Sequence, residues 1–135
     1  IYLPAGRGRV AFIDTRDIAE VAAVALTEEG HEGRGYHLTG PEAVSFNHVA
    51  RLLSETIGRT ISYEPSSILG YLRHLRQQGM IWPQAVVQTV LHAGLRRGDA
   101  EAVTTTVTDL VGRPARSVED YINDHAASWS TDSER

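Results

Sequence analysis

Every strand that this sequence predicts lies before Pro65, and the regular elements beyond it pattern as helices. Val10-Ala11-Phe12-Ile13, within residues 9–14, is a short apolar run of the kind a buried strand uses. Tyr36-His37-Leu38-Thr39 reads as a second strand ended by the turn pair Gly40-Pro41, and Thr60–Tyr63 alternates as a third until Pro65 stops it. Helices separate them. Asp17 with Glu20 has capping-box spacing, and Ile18, Val21, Ala22, Ala25 and Leu26 recur at helical intervals up to Gly30. Ser45 is placed to cap a helix on which Phe46, Val49, Ala50, Leu53 and Ile57 share a face, with Gly58 just past its end. The order β, α, β, α, β predicts an α/β fold, but three short strands make a thin sheet with open edges that a larger structure would normally complete.

Downstream, Ser66 or Ser67 can cap a helix carrying Ile68, Leu69, Leu72 and Leu75 that ends near Gly79. Pro83 opens another, with Val86, Val87, Val90 and Leu91 as its apolar positions and Gly98 at its close. A Thr-rich stretch at 104–106 leads through Leu110-Val111 to Gly112-Arg113-Pro114. Ser117 with Asp120 then repeats capping-box spacing for a last helix. The expected organisation is one lobe over residues 1–127, with 128–135 a frayed tail. At 135 residues and 41% hydrophobic the chain can bury one modest core.

Several partner classes are disfavoured. The net charge is −4, and all thirteen basic residues are Arg, scattered and not striped, so nucleic acid is not expected. No apolar run approaches the roughly 20 residues that span a bilayer, so no membrane partner is expected. With no cysteine there is no disulfide frame or thiolate metal site, which accords with a cytoplasmic address. A chain opening on Ile1 instead of Met reads as a piece of something longer.

Few residues point to chemistry. The six histidines at 31, 37, 48, 74, 92 and 125 lack metal-ligand spacing and read as surface or core-edge residues, so no metal is expected. Asp14, Asp17 and Glu20 are close enough to suggest an acid/base pair, but Asp17 is better explained as a helix cap. Gly6-Arg7-Gly8-Arg9 superficially resembles a phosphate loop. Its glycines precede a strand instead of opening a helix, so a hairpin turn is expected, with its arginines solvated. Arg96-Arg97 reads as a favourable helix end. No Lys follows Tyr36 at the spacing of a Tyr-x-x-x-Lys couple, and the chain has no Lys at all. No catalytic residue is therefore assigned.

Three stretches carry a family resemblance: Gly8-Arg9-Val10-Ala11-Phe12-Ile13-Asp14-Thr15-Arg16-Asp17-Ile18-Ala19, Tyr36-His37-Leu38-Thr39-Gly40-Pro41-Glu42-Ala43-Val44-Ser45-Phe46, and Gly112-Arg113-Pro114-Ala115-Arg116-Ser117. In order and spacing they resemble the carboxyl-terminal half of NmrA-like, NAD(P)H-binding atypical short-chain dehydrogenases. The resemblance implies the carboxyl-terminal portion of a Rossmann-like protein, with few short strands followed by a helical substrate lobe. NADP or NAD would be held by the other half, and none is expected on this chain alone. It further implies an oxidoreductase whose small-molecule substrate is a carbonyl, quinone or similar acceptor, inactive without the cofactor half. Pocket candidates by the same likeness are Pro4, Ala5 and Gly6, in a segment that runs near the substrate, and Tyr71, His74 and Trp82, in a variable lid. The cofactor-binding residues themselves are unknown. Two alternatives stay open: a non-catalytic dinucleotide-sensing regulator that binds a protein partner, and an autonomous helical interaction module. A homodimer would cover an exposed face or sheet edge.

Overall fold

A computed structural model describes residues 1–130. In chain order the elements are β1 (Tyr2–Leu3), β2 (Arg9–Val10), α1 (Thr15–Thr27), β3 (Val44–Ser45), α2 (Phe46–Ile57), β4 (Glu64–Pro65), α3 (Ile68–Gln77) and α4 (Trp82–Gly94). A 3₁₀ turn (Leu95–Arg97) follows, then α5 (Thr106–Val111), α6 (Val118–Asp124) and α7 (Ala126–Ser130). The described residues form two compact units, one of residues 1–10 and 45–101, the other of 11–44 and 102–130. Of the tail expected at 128–135, Ser128–Ser130 complete α7 and residues 131–135 lie outside the described residues.

In the first unit β1 and β4 pair in parallel, Tyr2 opposite Glu64 and Leu3 opposite Pro65. Pro65 is tolerated inside this ladder, against the sequence expectation, for a simple reason. The N–H groups of Glu64 and Ser66 donate to the carbonyls of Ile1 (2.8 Å) and Leu3 (3.1 Å), so the residue lacking a donor falls on the position facing away. The strand expected at Thr60–Tyr63 is absent because Ile61 spends its backbone groups elsewhere. Its N–H donates to the Ser54 hydroxyl (2.8 Å), and its carbonyl accepts from the same side chain (3.2 Å).

The helices of this unit follow local rules. Ser45 caps α2 by accepting from the His48 N–H, and Gly58 ends it in the left-handed conformation at φ 68°. Ser67, rather than Ser66, caps α3 by accepting from the Gly70 N–H at 3.0 Å. Pro83 sits in the first turn of α4, where no N–H is needed. Helices α3 and α4 pack around Tyr71, Leu75 and Ala85, with Leu3, Leu72 and Met80 against them. The apolar positions expected to bury α4 do not: Ala85 and Thr89 face the core, while Val86, Val87, Val90 and Leu91 are exposed.

In the second unit α1 begins earlier than expected. Asp14, not Asp17, is its cap and accepts from the Arg16 N–H at 2.8 Å. Val21 of α1 and Val107 of α5 are buried where these helices pack. The expected strand at Tyr36–Thr39 does not form a ladder. Thr104 reaches it instead from the other side of the unit: its N–H donates to the Thr39 hydroxyl (2.8 Å) and its hydroxyl to the His37 carbonyl (2.9 Å). Gly40 then passes so close to Phe12 that a Cβ there would lie 1.9 Å from the Phe12 carbonyl oxygen. Strand β2 likewise stops at Val10, short of the run expected through Ile13. The Ser117–Asp120 capping box forms as the spacing predicts.

Candidate functional site

Of the residues singled out from sequence, Pro4, Ala5 and Gly6 lie in the turn that follows β1, Tyr71 and His74 on α3 beside Tyr2, and Trp82 apart from them at the start of α4. Gly6 turns the chain with φ 58°, and the Gly8 N–H closes the turn on the Ala5 carbonyl at 2.9 Å. A turn therefore forms as expected, but not a hairpin, since β1 pairs with β4. Pro4 and Ala5 are fully buried beneath it. Two side chains hold it from below. The Tyr63 hydroxyl donates to the carbonyls of Gly6 (3.1 Å) and Leu3 (3.3 Å). Burial pushes the Tyr63 pKa up, against a smaller opposing effect of the Arg96 charge and the backbone, so the phenol keeps the proton it donates.

Arg96 is the second support, and sequence reading missed it. Its guanidinium donates to the Pro4 carbonyl through Nε and to the Ser66 carbonyl through Nη2, both at 2.6 Å, tying the turn to the segment that enters α3. Nothing in the sequence distinguishes it from Arg97 beside it, because its partners are carbonyls 92 and 30 residues away. The glycine-rich turn is no phosphate cradle. A Cβ on Gly8 would lie 2.0 Å from the Leu95 carbonyl oxygen and one on Gly6 3.4 Å from the Arg96 side chain, so the glycines allow close contact with protein. These residues do not fit a dinucleotide pyrophosphate.

Beside the turn, rings assemble on α3. Tyr2 meets His74 edge-on with centroids 5.1 Å apart and Tyr71 at 6.4 Å, and Tyr71 meets His92 of α4 at 5.5 Å. Tyr71 is buried, and its hydroxyl accepts from Gln88 Nε2 at 3.4 Å. Burial raises its pKa, only partly offset by that bond. Tyr2 is 41% exposed and His74 half-buried, so these two present ring surface to the outside. Trp82, at the start of α4, is exposed and lies beneath the Arg76 guanidinium, 4.9 Å from its ring centroid.

The second unit contains the densest charge. The Asp17 carboxylate is completely buried and accepts from the Arg113 guanidinium (2.7 Å), the Arg116 N–H (2.7 Å) and the Arg116 guanidinium. Glu20, one turn on, accepts from the same Arg113 Nη2 at 2.7 Å and from Arg116 Nη2 at 2.9 Å. Burial alone would raise the Asp17 pKa, but the hydrogen bonds from both arginines outweigh it and hold the group below its ordinary 3.8. The bonds from Arg113 and Arg116 lower Glu20 as well. A carboxylate held ionised at neutral pH and saturated with donors is a structural lock and a poor proton carrier. It joins the first of the three resemblance stretches to the third, and the Gly40–Phe12 approach joins the first to the second. Among the described residues no group of three or more His, Cys, Asp or Glu is arranged to hold a metal, and no helix is long and apolar enough to cross a membrane.

No family model matches the chain. It is 38% identical over 128 residues to an NAD(P)H azoreductase of Xenophilus azovorans, a match covering 95% of this chain and 45% of that protein. Among solved structures it superposes with TM-score 0.81 on Citrobacter sp. triphenylmethane reductase complexed with NADP(H), at 28% identity over 93% of this chain and 44% of that one. It also superposes with TM-score 0.83 on an NADPH-dependent quinone oxidoreductase of Escherichia coli, at 25% identity over 91% and 45%. These are Rossmann-like NAD(P)-binding reductases, and that is the class the fold defines. The chain spans about half the length of the relatives it matches. Within the class the likeness fits the carboxyl-terminal part of an NmrA-like atypical short-chain dehydrogenase.

Proposed function

We propose that this chain is the substrate-side half of an NAD(P)H-dependent reductase whose acceptor is a small conjugated molecule such as a quinone or an azo or triphenylmethane dye. The observation that carries this is the braced turn at Pro4–Gly6 beside the accessible rings of Tyr2 and His74. Flat apolar rings with polar edges suit a planar acceptor, which gains from stacking and edge contact. Tyr71 lies beneath and fixes their placement, while Arg96 and Tyr63 keep the turn in register with α3. Pro4 and Ala5 are buried and Gly6 bends the chain, so their part is to support the turn, and Trp82 with Arg76 forms an outlying aromatic–cation pair on α4. Hydride transfer from a nicotinamide would be the reaction of the whole protein, and the part played by this chain is to orient the acceptor. The likeness to reductases acting on quinones and dyes supports the same acceptor class.

The test is steady-state oxidation of NADPH and NADH by the full-length protein against a panel of quinones, azo dyes and triphenylmethane dyes. Turnover is expected with at least one acceptor, and Tyr2→Ala and His74→Ala should raise the acceptor KM several-fold while leaving the KM for the dinucleotide unchanged. Dinucleotide binding without oxidation under every acceptor would replace this function with that of a cofactor-sensing regulator.

A further inference from the structure

Tyr2 lies against the first turns of α3. Its hydroxyl reaches Gly70, 3.1 Å from where a Cβ would stand, and its ring meets Tyr71 and, edge-on, His74. His74 follows Gly70 by one helical turn, so Tyr2 fixes its ring, and from one turn further along Gln78 Nε2 approaches His74 Nε2 at 3.1 Å. An amide nitrogen only donates. Nε2 is therefore the accepting ring nitrogen, and the proton of the neutral imidazole is on Nδ1. Among the described residues that N–H has no hydrogen-bond partner, and the residue is half-buried. The neighbouring polar rings are engaged elsewhere. Tyr63 donates to backbone carbonyls, His92 Nδ1 bonds the Gln88 carbonyl at 2.7 Å, and Tyr71 is buried against the Gln88 amide.

We infer that the His74 Nδ1–H is the hydrogen-bond donor to the negative charge that a quinone or azo acceptor develops as it is reduced. This rests on the reading of the chain as the acceptor side of an NAD(P)H-dependent reductase. In that reaction the acceptor takes a hydride, with both electrons, from a C–H bond that breaks on the dihydronicotinamide, which is thereby oxidised. A π pair of the acceptor moves onto a quinone oxygen or the other azo nitrogen, and that atom then takes a proton from water. A fixed N–H donor beside it bonds the charged transition state more strongly than the neutral acceptor, and so lowers the barrier. A cationic triphenylmethane dye differs in kind. Hydride adds to its central carbon and cancels a positive charge, so no atom becomes an anion and no proton is needed. For such a dye His74 offers only its ring.

Two variants of the full-length protein test this. His74→Phe keeps a ring against Tyr2 and removes the donor, whereas His74→Asn returns an amide N–H near the position of Nδ1. Whatever the ring contributes is common to both acceptor classes, so the ratio of kcat for a quinone to kcat for a cationic triphenylmethane dye isolates the N–H. That ratio should fall about tenfold to a hundredfold in His74→Phe, short of the loss at a fully buried oxyanion donor because His74 is half in water, and recover in part in His74→Asn. Without dinucleotide, calorimetric binding of 4-nitrophenolate, which carries the same charge on oxygen, should weaken about tenfold in His74→Phe. If quinones alone are reduced, the Asn rescue and the phenolate affinity make the comparison. An unchanged ratio, phenolate binding indifferent to His74→Phe, or turnover of triphenylmethane dyes but of no quinone would each overturn the role of His74 and leave the reductase reading standing. No turnover with any acceptor would remove both.

Discussion

Replacing Asp17 by Asn removes one charge from a site where the side chain has no access to water and accepts three hydrogen bonds. The amide is nearly the same shape, so packing changes little, but one of its two oxygens becomes an NH₂ facing donors. Arg113 and Arg116 are left sharing Glu20 alone. Breaking a buried ion pair from one side costs about 3–5 kcal/mol. The arginine side chains here keep 33% and 27% of their surface in water, which places Asp17→Asn near the lower end, about 3 kcal/mol. With a urea m-value of about 2 kcal/mol/M, the unfolding midpoint should fall by about 1.5 M with no change in slope. Glu20→Gln, at a carboxylate 38% exposed, is the control and should move the midpoint far less. Adding 1 M salt should shrink the Glu20 effect and leave that of Asp17 nearly intact. Equal shifts for the two variants, or one below about 0.5 M for Asp17→Asn, would refute the buried lock.

The pH dependence follows from the same group. Its folded pKa is depressed, so its contribution is fully present above the ordinary value of 3.8 and is lost as pH falls through the lower, folded value. Asp14, lowered by its Arg16 hydrogen bond, and Asp120, lowered by Ser117, act in the same direction, so unfolding free energy should fall as pH drops below about 4, and fall less steeply in Asp17→Asn and Asp14→Asn, each of which lacks one of these titrating groups. Gly8→Ala should destabilise by about 1–3 kcal/mol in the same urea assay, because its methyl must displace the Leu95 carbonyl; a neutral result would mean the turn is loosely packed. Ser45→Ala should cost about 1 kcal/mol through loss of the α2 cap, and Ser45→Asp should restore most of it. Arg96→Ala should raise the acceptor KM of the full-length enzyme several-fold with the dinucleotide KM unchanged, and Arg96→Lys should recover only part, since one ammonium does not span two carbonyls as a guanidinium does.

The outward stripe of α4 shows why a correct periodicity can mislead. Val86, Val87, Val90 and Leu91 have helical spacing and do lie on one helix face, yet the core-facing side is Ala85 and Thr89. Hydrophobicity chose the larger side chains, whereas close packing of α4 on Tyr71 and Leu75 required smaller ones. Asp17 misled in the complementary way. Its spacing to Glu20 suits a capping box, but α1 is capped three residues earlier by Asp14, and the pair faces two arginines nearly a hundred residues downstream. The pocket candidates divide similarly. The turn at Gly6 was legible from glycine alone, while the supports Tyr63 and Arg96, and the meeting of Tyr2 with His74 across 72 positions of chain, were not.

By itself the sequence determined where α2, α3 and α6 begin and where α2 ends, because a cap such as Ser45, Ser67 or Ser117 acts on an N–H three residues away, and a glycine such as Gly58 turns the chain at its own position. It also carried the family likeness through its three short stretches. Only the tertiary structure decided the rest. A strand needs a partner to bond, so Tyr36–Thr39 gave its bonds to Thr104 and Thr60–Tyr63 to Ser54, while two-residue Glu64–Pro65 found β1. The buried lock and the braced turn depend on the same kind of distant pairing, where chemistry is set by residues that local pattern cannot bring together.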